Sequence, residues 1–127
     1  MPVTQLNHVT VRTDDIDGTR DFYIKVLGLP PGPRPPLGFP GYWMYCGDQP
    51  VVHIVPHSNG IGGSDADNTG CLDHVAFTAQ DFDGLREHLT QLGIAYHQNI
   101  FPDIGLSQIF LRDPNEVVIE LNFRHGE

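Results

Sequence analysis

Long apolar runs are missing from this chain of 127 residues; the longest are strand-sized, so nothing approaches a membrane span and no membrane partner is expected. The opening Met1-Pro2-Val3-Thr4 has neither the basic stretch nor the apolar core of a secretory signal, and the expected address is the cytoplasm. Basic residues are scarce, 7 against 16 acidic ones, for a formal net charge of −9. Such a surface repels phosphate backbones and anionic lipid, which argues against nucleic acid as a partner. Cysteine is scarce too. Cys46 and Cys71 lack metal-type CxxC spacing and make a poor disulfide framework, so both are expected as buried thiols in a reducing compartment.

What is present is globular composition: 39% of residues are hydrophobic and they are spread along the chain. The length suits one domain over residues 1–127, because half of it alone would bury too little surface, so any two-part organisation is expected to share a core. Two parts are visible. Leu6-Asn7-His8-Val9 lies over Leu72-Asp73-His74-Val75, 66 positions on, and at that offset Asp15, Asp17, Gly18 and Arg20 meet Asp81, Asp83, Gly84 and Arg86. A one-residue deletion then aligns Val26-Leu27-Gly28-Leu29 with Gln91-Leu92-Gly93-Ile94. The repeat divides the chain into a first module over about 4–57, a linker over about 58–70 rich in Gly, Asp, Ser and Asn, and a second module over about 71–124.

Each module opens with a short alternating strand, Leu6 to Arg12 or Leu72 to Thr78, with the histidine on one face and valine or phenylalanine on the other. A helix follows, with Asp15 or Asp81 as N-cap and Gly28 or Gly93 as stop. Ile16, Phe22, Tyr23, Val26 and Leu27, and then Phe82, Leu85, Leu89 and Leu92, recur at helical intervals and must pack on a sheet. Each module closes with two strands around a turn: Tyr42 to Cys46 with Val51 to Val55, and Gln108 to Arg112 with Val117 to Asn122. Before the first hairpin, Pro30 to Pro40 reads as an irregular loop; before the second, Ala95 to Asn99 reads as a weak strand. The fold class is therefore α+β, two tandem βαβββ modules.

Aligning the hairpins places His53 and Glu120 at equivalent positions, and alternation turns both away from the helices, onto the face that also carries His8 and His74. A charged Glu among Val118, Ile119 and Leu121 needs a partner, since an unpaired buried carboxylate is costly. Two imidazoles and a carboxylate form a good divalent-metal set, and we expect His8, His74 and Glu120 to be the ligands. His53 can be a fourth ligand, an acid or base, or a pocket wall, and His57 can shuttle a proton. His88, His97 and His125 read as background.

These residues resemble the vicinal oxygen chelate superfamily, which includes glyoxalase I, methylmalonyl-CoA epimerase, fosfomycin thiol transferases, extradiol dioxygenases and bleomycin-binding proteins. The resemblance rests on Leu6-Asn7-His8-Val9-Thr10-Val11, Arg20-Asp21-Phe22-Tyr23, Leu72-Asp73-His74-Val75-Ala76-Phe77 and Asp113-Pro114-Asn115 leading into Val118-Ile119-Glu120-Leu121, and it spans nearly the whole chain. It implies modules curled into a cup, metal at His8, His74 and Glu120, Lewis-acid chemistry on a small-molecule substrate, and a homodimer whose subunits complete each other's cups.

The two-His-one-carboxylate set resembles the iron site of extradiol dioxygenases, and ring cleavage of a small aromatic or vicinal-oxygen substrate is the first expectation, with Fe2+ or Mn2+ favoured. Glyoxalase- or epimerase-type isomerisation with Zn2+, Ni2+ or Co2+ is the alternative, and ligand sequestration without chemistry is a third. Against ring cleavage stands Phe110, where the ring-cleaving enzymes usually carry a tyrosine. Catalytic candidates are His53, His57 and Glu120; Arg34, Phe39, Trp43, Tyr45, Phe101, Phe110 and Asn122 are candidates to line the pocket, with core packing the alternative for each aromatic. The proline-rich loop bearing Arg34 is either a rim over that pocket or a stiff connection.

Overall fold

Alternating valine and isoleucine against polar residues builds both sheets. The computed structural model describes residues 6–59 and 74–125. The expected linker falls mainly on residues 60–70, outside the described residues, as do Cys71, Leu72 and Asp73. The chain forms two compact units, Met1–Asp67 and Asn68–Glu127, each one module.

In the first unit the order is β1 (Val9–Thr13), α1 (Ile16–Lys25), β2 (Pro31–Gly32), β3 (Tyr42–Cys46) and β4 (Gln49–Pro56), followed by a 3-10 turn at His57–Asn59. The second repeats it with β5 (Val75–Ala79), α2 (Phe82–Leu92), β6 (His97–Phe101), a 3-10 turn at Pro102–Ile104, β7 (Leu106–Arg112) and β8 (Val118–Arg124). The sheet orders are β1-β4-β3-β2 and β5-β8-β7-β6. In both, the first strand runs parallel to the last and the other neighbours are antiparallel. That parallel pairing is what brings the opening histidine strand beside the closing hairpin, and the intervening helix is the crossover it requires. The modules are thus α+β and tandem, as the repeat requires.

The alternation holds. Val52 and Ile54 on β4, and Ile119, Leu121 and Phe123 on β8, are buried, whereas His53, Glu120 and Asn122 on the opposite face are half-buried. Each fully buried Val, Leu or Ile contributes about 1.5–3 kcal/mol against exposure, and one sheet face does most of this in each unit. Tyr23 from α1 and Val26 at its C-cap, and Phe82 and Leu89 from α2, are buried as the helical spacing predicts.

The helices start as expected: Asp15 and Asp81 accept hydrogen bonds from the N–H groups of Gly18 and Gly84 at 2.9 and 3.1 Å. Gly93 ends α2 at φ 70°, a left-handed conformation that costs glycine nothing. Several expectations need correcting. Leu92, placed on the inward helical face, is 41% exposed at the last residue of α2. Cys46 is exposed at the end of β3, where the Gly47-Asp48 turn leaves it uncovered; a buried thiol was expected there. The loop Pro30 to Pro40 contains a two-residue edge strand, Pro31–Gly32, paired with Met44 and Trp43; Pro31 is admitted because edge strands leave one row of N–H groups unused. The weak strand of the second module lies at His97–Phe101, two residues later than Ala95 to Asn99. No helix among the described residues is long and apolar enough to cross a membrane.

Candidate functional site

In each unit the histidine before the first strand meets the polar residue at the centre of the last. His8 stacks on His53, with ring centroids 3.7 Å apart and planes 9° from parallel. Trp43, opposite His53 in the β3–β4 register, stacks on its other face at 4.2 Å. In the second unit Nε2 of His74 lies 3.5 Å from Oε1 of Glu120, and Phe110 occupies the register position opposite Glu120 that Trp43 occupies opposite His53. The two sheets therefore carry the same arrangement of first-strand histidine, last-strand polar group and third-strand aromatic, with different chemistry.

Hydrogen bonds orient these groups. Nδ1–H of His8 donates to Oδ1 of Asn7 at 2.6 Å, which leaves the lone pair on Nε2. Nε2–H of His53 donates to the Pro50 carbonyl at 3.1 Å, leaving Nδ1 as its acceptor. Burial is the main cause that holds the His53 pKa below the usual 6.5, the nearby His8 and Arg34 add to it, and the Pro50 carbonyl opposes it. His53 is thus a neutral imidazole at neutral pH. Asn122 donates from Nδ2 to Oε2 of Glu120 at 2.8 Å and accepts from Nε2 of Gln108 at 2.9 Å.

In neither unit do three His, Cys, Asp or Glu side chains among the described residues gather at one point; each unit supplies a pair. The second pair fits a divalent cation. Two ligands with bonds of about 2.1 Å stand about 3.0–3.4 Å apart on one ion, and His74 and Glu120 are at 3.5 Å. Asn122 engages one carboxylate oxygen and leaves the other turned to the histidine, an outer hydrogen bond of the kind that orients metal ligands. Asn7 does the same for His8.

Other predicted residues are distributed unevenly. The Tyr45 hydroxyl on β3 donates to the Pro33 carbonyl at 2.6 Å, and the Arg34 guanidinium lies 5.0 Å over the Phe39 ring, so Tyr45 packs against, and Arg34 sits within, the proline-rich loop at the edge of the first sheet. His57 donates from Nδ1 to Asp14 at 2.6 Å, beyond the end of the β1–β4 pair opposite to His8, and is not brought to the His53 cluster. Phe101 shares the Glu120 face but stands at the exposed edge, paired with Leu106.

Sequence reasoning missed Asn7, Gln108 and Asn99, whose Nδ2 reaches Gln108 at 3.5 Å. The available signal was that Asn99, Gln108 and Asn122 share one register row, which the hairpin alignment could have exposed. His97, treated as background, faces Phe110 in the row of Glu120.

Among known proteins, "Glyoxylase I 4" of Arabidopsis thaliana is 29% identical over 131 residues, an alignment that takes in 94% of this chain and 70% of that protein. A glyoxalase family protein from Bacillus anthracis superposes with a TM-score of 0.74 at 24% identity, covering 96% of each chain. Lactoylglutathione lyase from Agrobacterium tumefaciens superposes with a TM-score of 0.68 at 21% identity, covering 97% of this chain and 96% of that one. Both likenesses establish the fold. The family model described as Glyoxalase/Bleomycin resistance protein/Dioxygenase superfamily matches residues 5–121, and with it the opening strand and the Glu120 strand alike, so the chain belongs to that superfamily.

Proposed function

We propose that this protein is a divalent-cation-dependent lyase or isomerase of the glyoxalase type, which moves a proton between adjacent carbons of a small substrate presenting two neighbouring oxygens. The observation that carries this reading is the direct contact of His53 with His8. If His53 belongs to the ligand cluster, His8, His53, His74 and Glu120 make four protein ligands. Four protein ligands would leave the ion less room for substrate than three, which suits one substrate with two oxygens better than a catecholate plus dioxygen. The name of the Arabidopsis relative points the same way. Ring cleavage, which the two-His-one-carboxylate set suggests when His53 is left out, is the second reading.

When bound, the cation supplies positive charge that lowers the energy of an oxyanion developing on the substrate. The chain's own residues do the rest. Glu120 supplies the carboxylate that accepts the proton, and Asn122, donating to Oε2, orients it. Neutral His53 presents a lone pair without adding charge beside His8. Trp43 and Phe110 form apolar walls that limit water near the reacting carbons.

The same proposal takes the working form to be a homodimer in which the first module of one subunit completes the site with the second module of the other.

The test is reconstitution of metal-free protein with Ni2+, Co2+, Zn2+, Mn2+ and Fe2+ in turn. Hemithioacetal isomerisation without oxygen uptake is expected with Ni2+, Co2+ or Zn2+. Oxygen consumption on catechols that depends on Fe2+, with no isomerisation, would replace this reading with ring cleavage.

A further inference from the structure

Among the described residues Arg34 is a cation without a counter-charge. Its Nη1 donates to the Phe39 carbonyl at 3.1 Å and its guanidinium lies over the Phe39 ring, but Nε and Nη2 are closed off from solvent and meet no acceptor among the described residues. No carboxylate among those residues pairs with it within salt-bridge distance. Leaving buried donors of a charged group unanswered is expensive, so a fold that keeps them is expected to use them.

The two unanswered nitrogens are not scattered. Nε and Nη2 form the side edge of the guanidinium, whose two parallel N–H groups match the two oxygens of a carboxylate. The edge also lies beside the candidate site. A Cβ built on Gly41 would sit 3.0 Å from Nη2, and Gly41 precedes by two residues Trp43, which stacks on His53. The loop is tied to the same strand, because Gly32 packs on the ring of Tyr45 and the Tyr45 hydroxyl donates to Pro33. That Arg34 helps to lower the His53 pKa agrees with this proximity.

We propose that the Nε–Nη2 edge of Arg34 chelates a carboxylate of the substrate, so that the protein acts on an acid whose carboxylate lies beyond the two oxygens engaged in the reaction. This names the substrate class of the site proposed above and rests on that reading. The loop from Pro33 to Pro40 opens to admit the carboxylate, since both nitrogens are covered without it.

The experiment separates the two proposals by leaving the metal out. Metal-free protein is titrated with benzoate, with its neutral counterpart benzamide and with inorganic phosphate, and two signals are followed. One is the Nε–H resonance of Arg34; the other is fluorescence of Trp43, the single tryptophan. Benzoate is expected to shift both signals at concentrations where benzamide does not. Arg34→Lys keeps the charge and the stem but loses the fork, and should weaken benzoate at least about tenfold, as expected for loss of one charge-assisted hydrogen bond. Arg34→Gln should abolish the response. Circular dichroism checks that each variant folds, and the wild-type resonance decides the matter if Arg34→Gln does not. Equal binding of benzamide, benzoate binding unchanged in Arg34→Lys, or phosphate binding as tightly as benzoate would each overturn the carboxylate assignment. Failure here leaves metal-dependent isomerisation standing, and failure of isomerisation leaves the benzoate result standing.

Discussion

The two modules share strand order, pairing direction and, from Tyr42 to Met44, the register between their last strands, which in the first module then shifts at Met44/Tyr45; their site faces differ. The first carries three stacked rings, His8, His53 and Trp43, and no carboxylate in the stack. The second carries His74 against Glu120, backed by Asn122, Gln108 and Asn99. Their edges differ too: a proline-rich loop with a two-residue strand in the first, a five-residue strand in the second. A duplicated backbone can keep its hydrogen-bond ladder while its outward residues diverge, because the ladder depends on the main chain and the buried face alone.

If the modules divide the labour as proposed, Glu120→Gln removes the proton acceptor and should lower kcat by about 10²–10⁴-fold with little change in Tm. His53→Gln should cost less, since an amide oxygen can still present a lone pair. Equal losses in the two variants, measured by steady-state kinetics of the metal-loaded protein, would mean that the faces are not specialised.

A second comparison concerns assembly. His8→Ala and Glu120→Ala are each expected to be inactive, but mixing them after reversible dissociation should restore about a quarter of wild-type activity, because half the dimers are mixed and each of these rebuilds one intact site. No recovery would place both modules of a site in one chain.

Stability distinguishes the modules in smaller steps. Leu89→Ala, under the second sheet, should cost about 2–5 kcal/mol by urea unfolding, as for other fully buried leucines. The caps should respond unequally. Asp15 sits at φ −132° and Asp81 at φ 66°, so glycine at 81 relieves a left-handed conformation while losing the cap, and glycine at 15 only loses the cap. Asp15→Gly should therefore lower Tm more than Asp81→Gly.

The smallest effect is expected with pH. Since the His53 pKa lies below 6.5 in the folded protein, the unfolded chain binds its proton first. The stability that neutral His53 contributes is then complete above about pH 6.5 and is lost as pH falls from there through the lower folded value. Tm measured from pH 7.5 downwards should fall less steeply in His53→Gln than in the wild type.

Much of this was legible in the residues. The repeat from His8 to His74 fixes two modules, the period-two pattern at Val118 to Phe123 separates the buried from the site face, and Asp15 and Asp81 mark both helix starts. The proline-rich segment hid its two-residue strand, because so short an element is held only by its partners Trp43 and Met44. Likewise Leu92 carries the helical period but is exposed at the end of α2.

Sequence thus settled what can be read from periodicity: which elements form, which face of each strand is apolar, and that His53 and Glu120 occupy matching positions. Only folding in three dimensions decided that His53 lies between His8 and Trp43, that Asn122 holds Glu120, that His57 turns to Asp14, and that one edge of Arg34 stays unanswered among the described residues. The reason is physical. Burial patterns follow from local spacing along one strand, whereas the partner of a polar side chain is set by which strand or loop arrives beside it from elsewhere in the chain.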